Sequence, residues 1–528
     1  MINLIINIFY PSARSTWLAI AVITALILSA CQPQVVSISS GASAFGEDQL
    51  QNLETVSLAQ ESSSDQSPVT TFPKRPRYSP GQLVDYTAQP GDTLPFLAVR
   101  FNTTVEGILE ANPFIPQSAT TMPPGMPMQI PIYYLPLWGS PYQIIPDSLF
   151  VNGPSQVNFN TREFVAQNPG WLKNYKSFAG RTNRSGAEIV DLVARNYSVS
   201  PLLLLALLEH QSEALSQPVM STEIEDFPLG NPDWEHKGLY LQLTWAANLL
   251  NNGYYNYRLS KLMSLEFRDG RMERFDPWQN AATVSLQNYF NTIYEYDDFV
   301  HAIAPEGIAQ TYKDLFGDPW DNVQPHIPGS LTQPQFILPF EPGEVWALTG
   351  GPHAGYGIGE PFAALDFAPP SVSFGCIPSS IFTTAVAPGV VVRSEYGQVM
   401  LDLDGDGDER TGWNVFYLHV ATKDRIPLGA TLQQGDRIGH PSCEGGRSTG
   451  THIHIARKFN GEWMPAEDVM GYNLEGWTAH NGSQPYLGTL TRGSLTVTAC
   501  TCSNAASFIK SDRLVPAGGQ EQKPEDDK

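Results

Sequence analysis

Two short stretches, Tyr417-Leu418-His419 and Gly450-Thr451-His452-Ile453-His454, decide the fold prediction for the last third of the chain. Their β-branched and aromatic residues indicate strands, and similar runs at 384–392 and 399–403 extend the pattern to an antiparallel sheet. Alternate side chains of a strand point to one face, so His452 and His454 are expected to project into the same site.

His353 and Asp366 precede these stretches and add an imidazole and a carboxylate to the candidate site. Three side chains of this kind plus one water form an open catalytic zinc site. The five residues His353, Asp366, His419, His452 and His454 therefore predict a catalytic zinc centre. An isolated histidine on a strand would more simply be a satisfied core residue.

The motifs of this region occur in a characteristic order: 364–369 around the aspartate, 387–391, 429–439, and the two histidine stretches. Together they resemble the lysostaphin-like (LytM-type) zinc metallopeptidases, which cut peptide bonds in bacterial cell walls. The resemblance spans residues 336–476. It implies that His353, Asp366 and His454 bind zinc and that His419 and His452 act as non-ligand catalytic histidines.

One departure concerns the spacing of the first two ligands. The family usually places three residues between them, but twelve separate His353 from Asp366. The glycine-rich segment Gly355–Pro361 is interpreted as an inserted loop that bulges out without moving its ends. His440 is the substitute ligand if His353 does not fill this position.

Residues 82–132 resemble a LysM domain, a small glycan-binding module with the order strand, helix, helix, strand. The matching stretches are 86–94, 97–101, 108–113 and 124–131, and Asp92 with Thr93 and Thr103 with Thr104 can cap the two helices. The resemblance places glycan contacts in two loops that contain Gly91, Asp92, Thr93, Asn112, Pro113, Phe114 and Ile115. The alternative is a LysM fold that acts as a spacer without glycan affinity.

A mainly helical domain is predicted for residues 156–322. Ser200-Pro201 begins an apolar helix that should be buried, and further helices are predicted at 186–197, 239–252 and 280–294. The region is weakly similar to lysozyme-like lytic transglycosylases, in which a buried glutamate is the general acid. Glu209 would take that role, although His210 stands where that family has serine. A structural or substrate-holding domain is the alternative.

The N-terminal residues 1–30 have an apolar run too short for a comfortable membrane span. Leu28-Ser29-Ala30-Cys31 resembles the lipobox of bacterial lipoproteins, which implies signal removal and a lipid on Cys31; an ordinary secretory signal is the alternative. Either way, the mature chain is expected outside the cytoplasm. Residues 31–81 are predicted to be a disordered stalk, 133–155 a connector, and 477–528 a partly disordered extension.

Two further signals remain open. Asp402, Asp404 and Asp406 alternate as in a calcium loop, but a hairpin turn rich in Asp-Gly pairs explains them without a metal. Cys376 and Cys443 could form a disulfide in an oxidising compartment, and Cys500 and Cys502 could pair with each other or with these two.

The sequence therefore predicts a multidomain α+β protein with a LysM domain, a helical domain and an antiparallel-sheet metallopeptidase domain. Its predicted function is that of a lipid-anchored extracytoplasmic zinc endopeptidase acting on peptidoglycan. The formal net charge of -22 argues against a nucleic-acid partner. The alternatives are a non-hydrolytic cell-wall-binding regulator of other hydrolases, and glycan cleavage by the helical domain as the main reaction.

Overall fold

The computed structural model of the protein describes residues 75–321, 323–371, 375–501 and 504–513. The predicted signal 1–30, the lipidation residue Cys31 and most of the predicted stalk lie outside these ranges. Within them, no helix has both the length and the apolar character needed to cross a membrane.

The first folded segment has the predicted order of strand, helix, helix and strand: β1 (Gln82–Thr87), α1 (Leu94–Arg100), α2 (Val105–Ala111) and β2 (Pro127–Ile132). β1 and β2 pair antiparallel. Thr93 accepts a hydrogen bond from Phe96 N and Thr104 accepts one from Gly107 N, so both helices are capped as predicted. Asp92 contacts Tyr86, Gln89 and Arg100 instead.

The middle segment is mainly helical, as predicted. Its helices are α3 (Asp147–Phe150), α4 (Thr161–Gln167), α5 (Gly186–Tyr197), α6 (Pro201–Ser212), α7 (Thr222–Asp226), α8 (Leu239–Arg258), α9 (Ala281–Ile293), α10 (Tyr296–Ile303) and α11 (Ile308–Phe316). Two small hairpins accompany them, β3 (Lys176–Ala179) with β4 (Thr182–Ser185) and β5 (Ser264–Glu266) with β6 (Met272–Arg274). The apolar helix α6 begins after the cap Ser200 and is buried along most of its length.

The predicted connector 133–155 differs from expectation in its second half. Ile144, Ile145, Phe150 and Val151 are almost fully buried and belong to the helical core. Their apolar side chains are interspersed with prolines and polar residues, so they lack the helical or strand periodicity that would have identified them as core residues. The helical domain therefore begins earlier than residue 156.

The C-terminal segment is built of antiparallel strands, most of which form the predicted sheet. They are β7 (Val345–Ala354), β8 (Phe362–Ala368), β9 (Thr383–Thr384), β10 (Gly389–Glu395), β11 (Gln398–Asp402), β12 (Trp413–Leu418), β13 (Thr431–Leu432), β14 (Arg437–Gly439), β15 (Ile453–Phe459), β16 (Glu462–Trp463), β17 (Asn473–Leu474), β18 (Trp477–Asn481), β19 (Gly488–Arg492), β20 (Leu495–Thr498) and β21 (Phe508–Lys510). The main sheet has the order β13-β10-β11-β12-β15-β8-β7-β21, and β16 pairs with β15. The α+β fold class is thus confirmed.

The C-terminal domain also extends beyond the boundary predicted at Gly476. β17 to β20 form a separate antiparallel sheet, and β21 adds an edge strand to β7. Trp477, Leu490 and Ile509 are buried in the same core as the main sheet. These strands are short, like those of surface hairpins. Their attachment to the domain depends on contacts with residues that are distant in sequence. Residues 514–528 of the predicted, partly disordered extension lie outside the described residues.

One hydrophobic core connects the three segments. It contains Phe96 of α1, much of the helical segment, and Ala364, Phe416 and Trp463 of the main sheet. One face of the sheet is therefore covered by the helices, and the helical segment supports the strands that contain the candidate site.

Candidate metal and catalytic site

Three of the predicted site residues meet at the centre of the main sheet. His454 in β15 lies directly opposite Asp366 in β8, and His353 lies near the end of the neighbouring strand β7. The Nε2 atom of His353 is 2.9 Å from Nδ1 of His454. Asp366 Oδ1 is 3.2 Å from the first of these nitrogens and 3.4 Å from the second. The three side chains form a buried group with one potential ligand atom each.

The local backbone of β7 explains how His353 reaches this group. The pairing of β7 with β8 shifts register between Leu348 and Gly350 and again between Gly350 and His353. Such bulges turn a side chain away from regular alternation. Gly350 leaves room for the carboxylate, because a Cβ there would lie 2.5 Å from Asp366 Oδ2.

Backbone carbonyls orient both imidazole rings. His353 Nδ1 is 2.8 Å from Gly351 O, and His454 Nε2 is 3.0 Å from Gly355 O. A neutral imidazole that donates from one nitrogen has a lone pair on the other, so His353 Nε2 and His454 Nδ1 are presented as acceptors. Asp366 Oδ1 is buried and accepts no hydrogen bond from a described residue. A cation between these three acceptors would satisfy all of them, so the residues fit a bound metal ion.

Burial and the neighbouring charges shift the pKa values of the three side chains. Burial alone would raise the pKa of the Asp366 carboxyl, but His353 and His452 hold it well below its usual range. Burial lowers the pKa of His353, and the Asp366 carboxylate more than offsets this, so that pKa is raised. Burial also lowers the pKa of His454, and here it prevails. Asp366 is therefore anionic and His454 neutral in this group.

His419 and His452 lie beside this group. Their ring centroids are 4.5 Å apart, and His452 Nε2 is 3.7 Å from Asp366 Oδ1. Carbonyls again fix the rings: His419 Nδ1 is 2.8 Å from Glu444 O, and His452 Nδ1 is 2.8 Å from Gly450 O. Burial, with the neighbouring His452 and His454, lowers the pKa of His419 to about 3. His419 has a φ of 71°, a left-handed conformation that non-glycine residues rarely adopt.

Tyr486 is a site residue that sequence reasoning missed. Its ring stacks on His353 with centroids 4.2 Å apart, and its backbone N donates to Pro352 O. It lies between β18 and β19, in the region assigned to a C-terminal extension. No motif marks it in the sequence, since its position depends on how that second sheet packs against β7.

His440, the substitute ligand, lies away from the group. Its Nδ1 is 3.1 Å from Ile381 O and its ring packs against Phe382 at 3.9 Å. His353 reaches Asp366 despite the longer spacing, with its Nε2 3.2 Å from Asp366 Oδ1. The inserted loop does not bulge freely as expected, because its residues contact α8 of the helical segment.

Cys376 and Cys443 form a disulfide. Cys443 precedes Glu444, whose carbonyl orients His419, so the bond joins a loop at the site to the loop around Cys376. Cys502 lies outside the described residues, and its pairing stays a prediction.

Comparisons with known proteins find relatives of this chain. Residues 86–131 match the LysM domain, and residues 143–329 match LasA, N-terminal domain. The chain is 25% identical over 354 residues to Protease LasA of Pseudomonas aeruginosa, covering 64% of this chain and 77% of the relative. The chain is thus similar to Protease LasA and carries a LysM domain.

Two solved structures are similar to parts of this chain. The M23 metalloprotease pseudoalterin has 23% identity, covers 32% of this chain and 96% of its own, and has a TM-score of 0.27. The catalytic domain of lysostaphin from Staphylococcus simulans has 20% identity, covers 24% of this chain and 89% of its own, and has a TM-score of 0.17.

The match to LasA, N-terminal domain covers Glu209, the predicted glycosidase acid. Glu209 Oε2 accepts hydrogen bonds from Leu215 N at 2.7 Å and Ser216 N at 3.2 Å. The carboxylate thereby holds the turn that follows α6. This contact gives Glu209 a structural role, and glycan cleavage stays a prediction.

The predicted glycan contacts of the LysM domain divide into two kinds. Asp92 and Asn112 are buried, and their side chains serve the fold: Asp92 pairs with Arg100, and Asn112 bonds Ile108 O and Gln129. Phe114 is 63% exposed. Within the predicted contact set it is the side chain best placed to meet a glycan, and that role stays a prediction.

The aspartate-rich loop between β11 and β12 also brings its carboxylates together. Asp402, Asp404 and Asp406 each offer an oxygen, and these oxygens lie within 4.8 Å of one another. Asp402 is buried, and burial together with Asp404 raises its pKa to about 6. The Asp402 carboxylate also accepts hydrogen bonds from Asp404 N and Gly407 N, as in a tight turn. Calcium binding stays a prediction, which calcium titration followed by thermal unfolding would test.

Proposed function

We propose that the chain is an extracytoplasmic zinc endopeptidase that hydrolyses peptide bonds in peptidoglycan. In this proposal a lipid on Cys31 anchors it to the membrane and the LysM domain holds glycan. The observation that carries the proposal is the buried group of His353, Asp366 and His454, with two further histidines at its edge. The relation to Protease LasA supports a peptidase.

His353 Nε2, Asp366 Oδ1 and His454 Nδ1 would hold the zinc ion. Bound there, zinc would supply a Lewis acid that activates water and polarises the scissile carbonyl. The carbonyls of Gly351 and Gly355 keep the two ligand nitrogens facing Asp366. Because these orienting bonds exist before substrate arrives, little reorganisation is needed during the reaction.

His419 and His452 would handle the proton and the developing charge. One removes a proton from the attacking water, and the other, when it also carries a proton on Nε2, donates a hydrogen bond to the carbonyl oxygen as it becomes anionic. Both rings have Nδ1 committed to a carbonyl, which leaves Nε2 to meet the substrate. The ring of Tyr486 covers one face of His353 and restricts its rotation.

The test is digestion of purified peptidoglycan with the full chain, measuring new amino termini separately from new reducing or anhydro-sugar ends. New amines are expected from the wild type with zinc. They should disappear with a chelator and in His454→Ala. His440→Ala, which removes a buried imidazole outside the ligand group, is the matched control and should remain active.

Two results would contradict the proposal. An absence of amines from the zinc-loaded protein on several wall chemistries would favour a non-hydrolytic regulator. Sugar ends that are formed by the wild type and lost in Glu209→Gln would make glycan cleavage the main activity.

A further inference from the structure

The inserted loop Gly355–Pro361, here called the site loop, begins at the site itself. Its first carbonyl, Gly355 O, is the partner of His454 Nε2 at 3.0 Å. The two ends of the loop meet through a hydrogen bond from Gly355 N to Pro361 O. A movement of the loop that reaches Gly355 would therefore shift the carbonyl that orients His454.

Helix α8 of the helical segment holds the middle of the site loop. Asn248 Oδ1 accepts from Ile358 N at 2.9 Å, and Asn252 Oδ1 accepts from Glu360 N at 2.7 Å. Lys261, just beyond the end of α8, donates to the Glu360 carboxylate. Both asparagines are one helical turn apart, so they meet alternate residues of the extended loop.

The glycines of the site loop match this contact. Gly357 and Gly359 have φ values of 77° and 84°, which favour glycine. A Cβ at Gly357 would lie 2.3 Å from Asn248 Oδ1, and one at Gly359 would lie 2.1 Å from Asn252 Oδ1. The loop backbone thus lies directly against the two amide groups, with no space for a side chain.

A loop with three glycines in seven residues has many conformations when it is unsupported. The hydrogen bonds to α8 remove most of that freedom. Without them Gly355 O would be positioned less well, and the His454 ring could rotate or exchange its donor nitrogen. The two amides therefore act on the ligand through the loop.

We propose that Asn248 and Asn252 are positioning residues of the metal site. Through the site loop they hold Gly355 O against His454 Nε2, so that His454 Nδ1 faces Asp366. This inference rests on the proposed function only in taking His454 as a zinc ligand. The helical segment would then contribute to metal binding through these two residues.

The experiment measures zinc affinity of the full chain by competition with a chromophoric chelator. Removing a group that orients a ligand typically weakens metal binding about 10-fold to 100-fold. We expect a loss of this size in N248A/N252A and a smaller one in N252A. N252D, which keeps the acceptor oxygen, should restore most of the affinity. N256A, one turn further along α8, should bind as the wild type.

A second readout is the nitrogen NMR signature of His454 in the metal-free protein. The wild type should show a single tautomer with the proton on Nε2, and N252A a mixture of tautomers. Wild-type affinity and an unchanged His454 signal in both N252A and N248A/N252A would overturn the inference. Circular dichroism shows whether the double variant is folded, and the single variant decides if it is not.

The two proposals fail differently. A wild type that binds no zinc, or binds it without releasing amines from peptidoglycan, contradicts the proposed function. A wild type that binds zinc normally while N252A, N252D and N256A all match it contradicts only the positioning role.

Discussion

Glu462 provides the sharpest test of how the sheet and the helices are joined. It lies in β16, and its Oε2 is 2.7 Å from His326 Nε2, 3.0 Å from Tyr254 OH and 3.7 Å from Arg258. Its side chain is 6% exposed. Arg258 in turn pairs with Asp147. Glu462→Ala would leave the buried Arg258 guanidinium paired with the Asp147 carboxylate alone. It would also remove the oxygen that contacts His326 Nε2 and Tyr254 OH.

Breaking a buried ion pair on one side costs about 3–5 kcal/mol, because the remaining charge stays buried without full compensation. We expect this loss in the free energy of unfolding of Glu462→Ala and a smaller one in Glu462→Gln, which retains polar contacts. The control is Glu295→Ala, since the Arg268–Glu295 pair has side chains 57% and 65% exposed. Exposed pairs contribute about 0–1 kcal/mol.

The assay is urea-induced unfolding followed by circular dichroism and tryptophan fluorescence. Since one core spans the segments, both signals should shift to lower urea together. A loss below about 1 kcal/mol would refute the reasoning, because it is the size expected of a surface pair. So would a shift in one signal only, which would show that the sheet and helices unfold separately.

Acidification provides an independent check on Glu462. Burial would raise its pKa, but Arg258 and His326 hold it below the ordinary value of 4.5. A carboxylate with a lowered pKa contributes stability above the unfolded value and loses it as pH falls through the folded value. The difference in stability between wild type and Glu462→Gln should therefore shrink below pH 4.5.

Two further predictions concern stability. Cys443→Ala removes a disulfide that joins residues 67 apart in sequence, so it should cost about 4 kcal/mol in unfolding free energy, and an unchanged melting temperature would contradict this. Burial lowers the pKa of Lys458 to about 8 from 10.5, although Glu409 opposes this. The unfolded chain then binds more protons between these pH values, so wild-type stability should rise with pH there relative to Lys458→Met. Parallel stability curves for the two proteins across that range would show that Lys458 is not the cause.

The sequence predicts most of the candidate site because each residue lies in a local pattern. His454 belongs to a strand with histidines at alternate positions, and Asp366 belongs to a short motif; antiparallel pairing places the two opposite each other. His419 is different, because its left-handed backbone directly after β12 aims the ring. Alternation identifies that strand but does not predict the turn of its last residue.

The site loop could not be predicted from its own residues. Its glycines indicate a flexible insertion, and that interpretation is correct only for an isolated loop. The acceptors that restrain it, Asn248 and Asn252, lie about a hundred residues earlier and look like ordinary polar positions on a helix surface. A contact between two polar surfaces leaves no hydrophobic periodicity in either sequence, so only the folded structure reveals it.

The LysM domain has the sequence of a separate module, but Phe96 of its first helix belongs to the core of the helical segment. A domain of this size buries too little apolar surface to be stable by a wide margin alone. One face of α1 packs in the core of the LysM domain. A second face of the same helix contacts the helical segment, where Phe96 packs against Tyr257 with ring centroids 5.0 Å apart. Arg100 on this helix donates to Pro277 O and Gln279 O. A buried arginine whose donors reach carbonyls is compensated, so a residue expected at the surface stabilises the contact instead. Because this contact is built from specific hydrogen bonds, it fixes how the LysM domain lies against the helical segment.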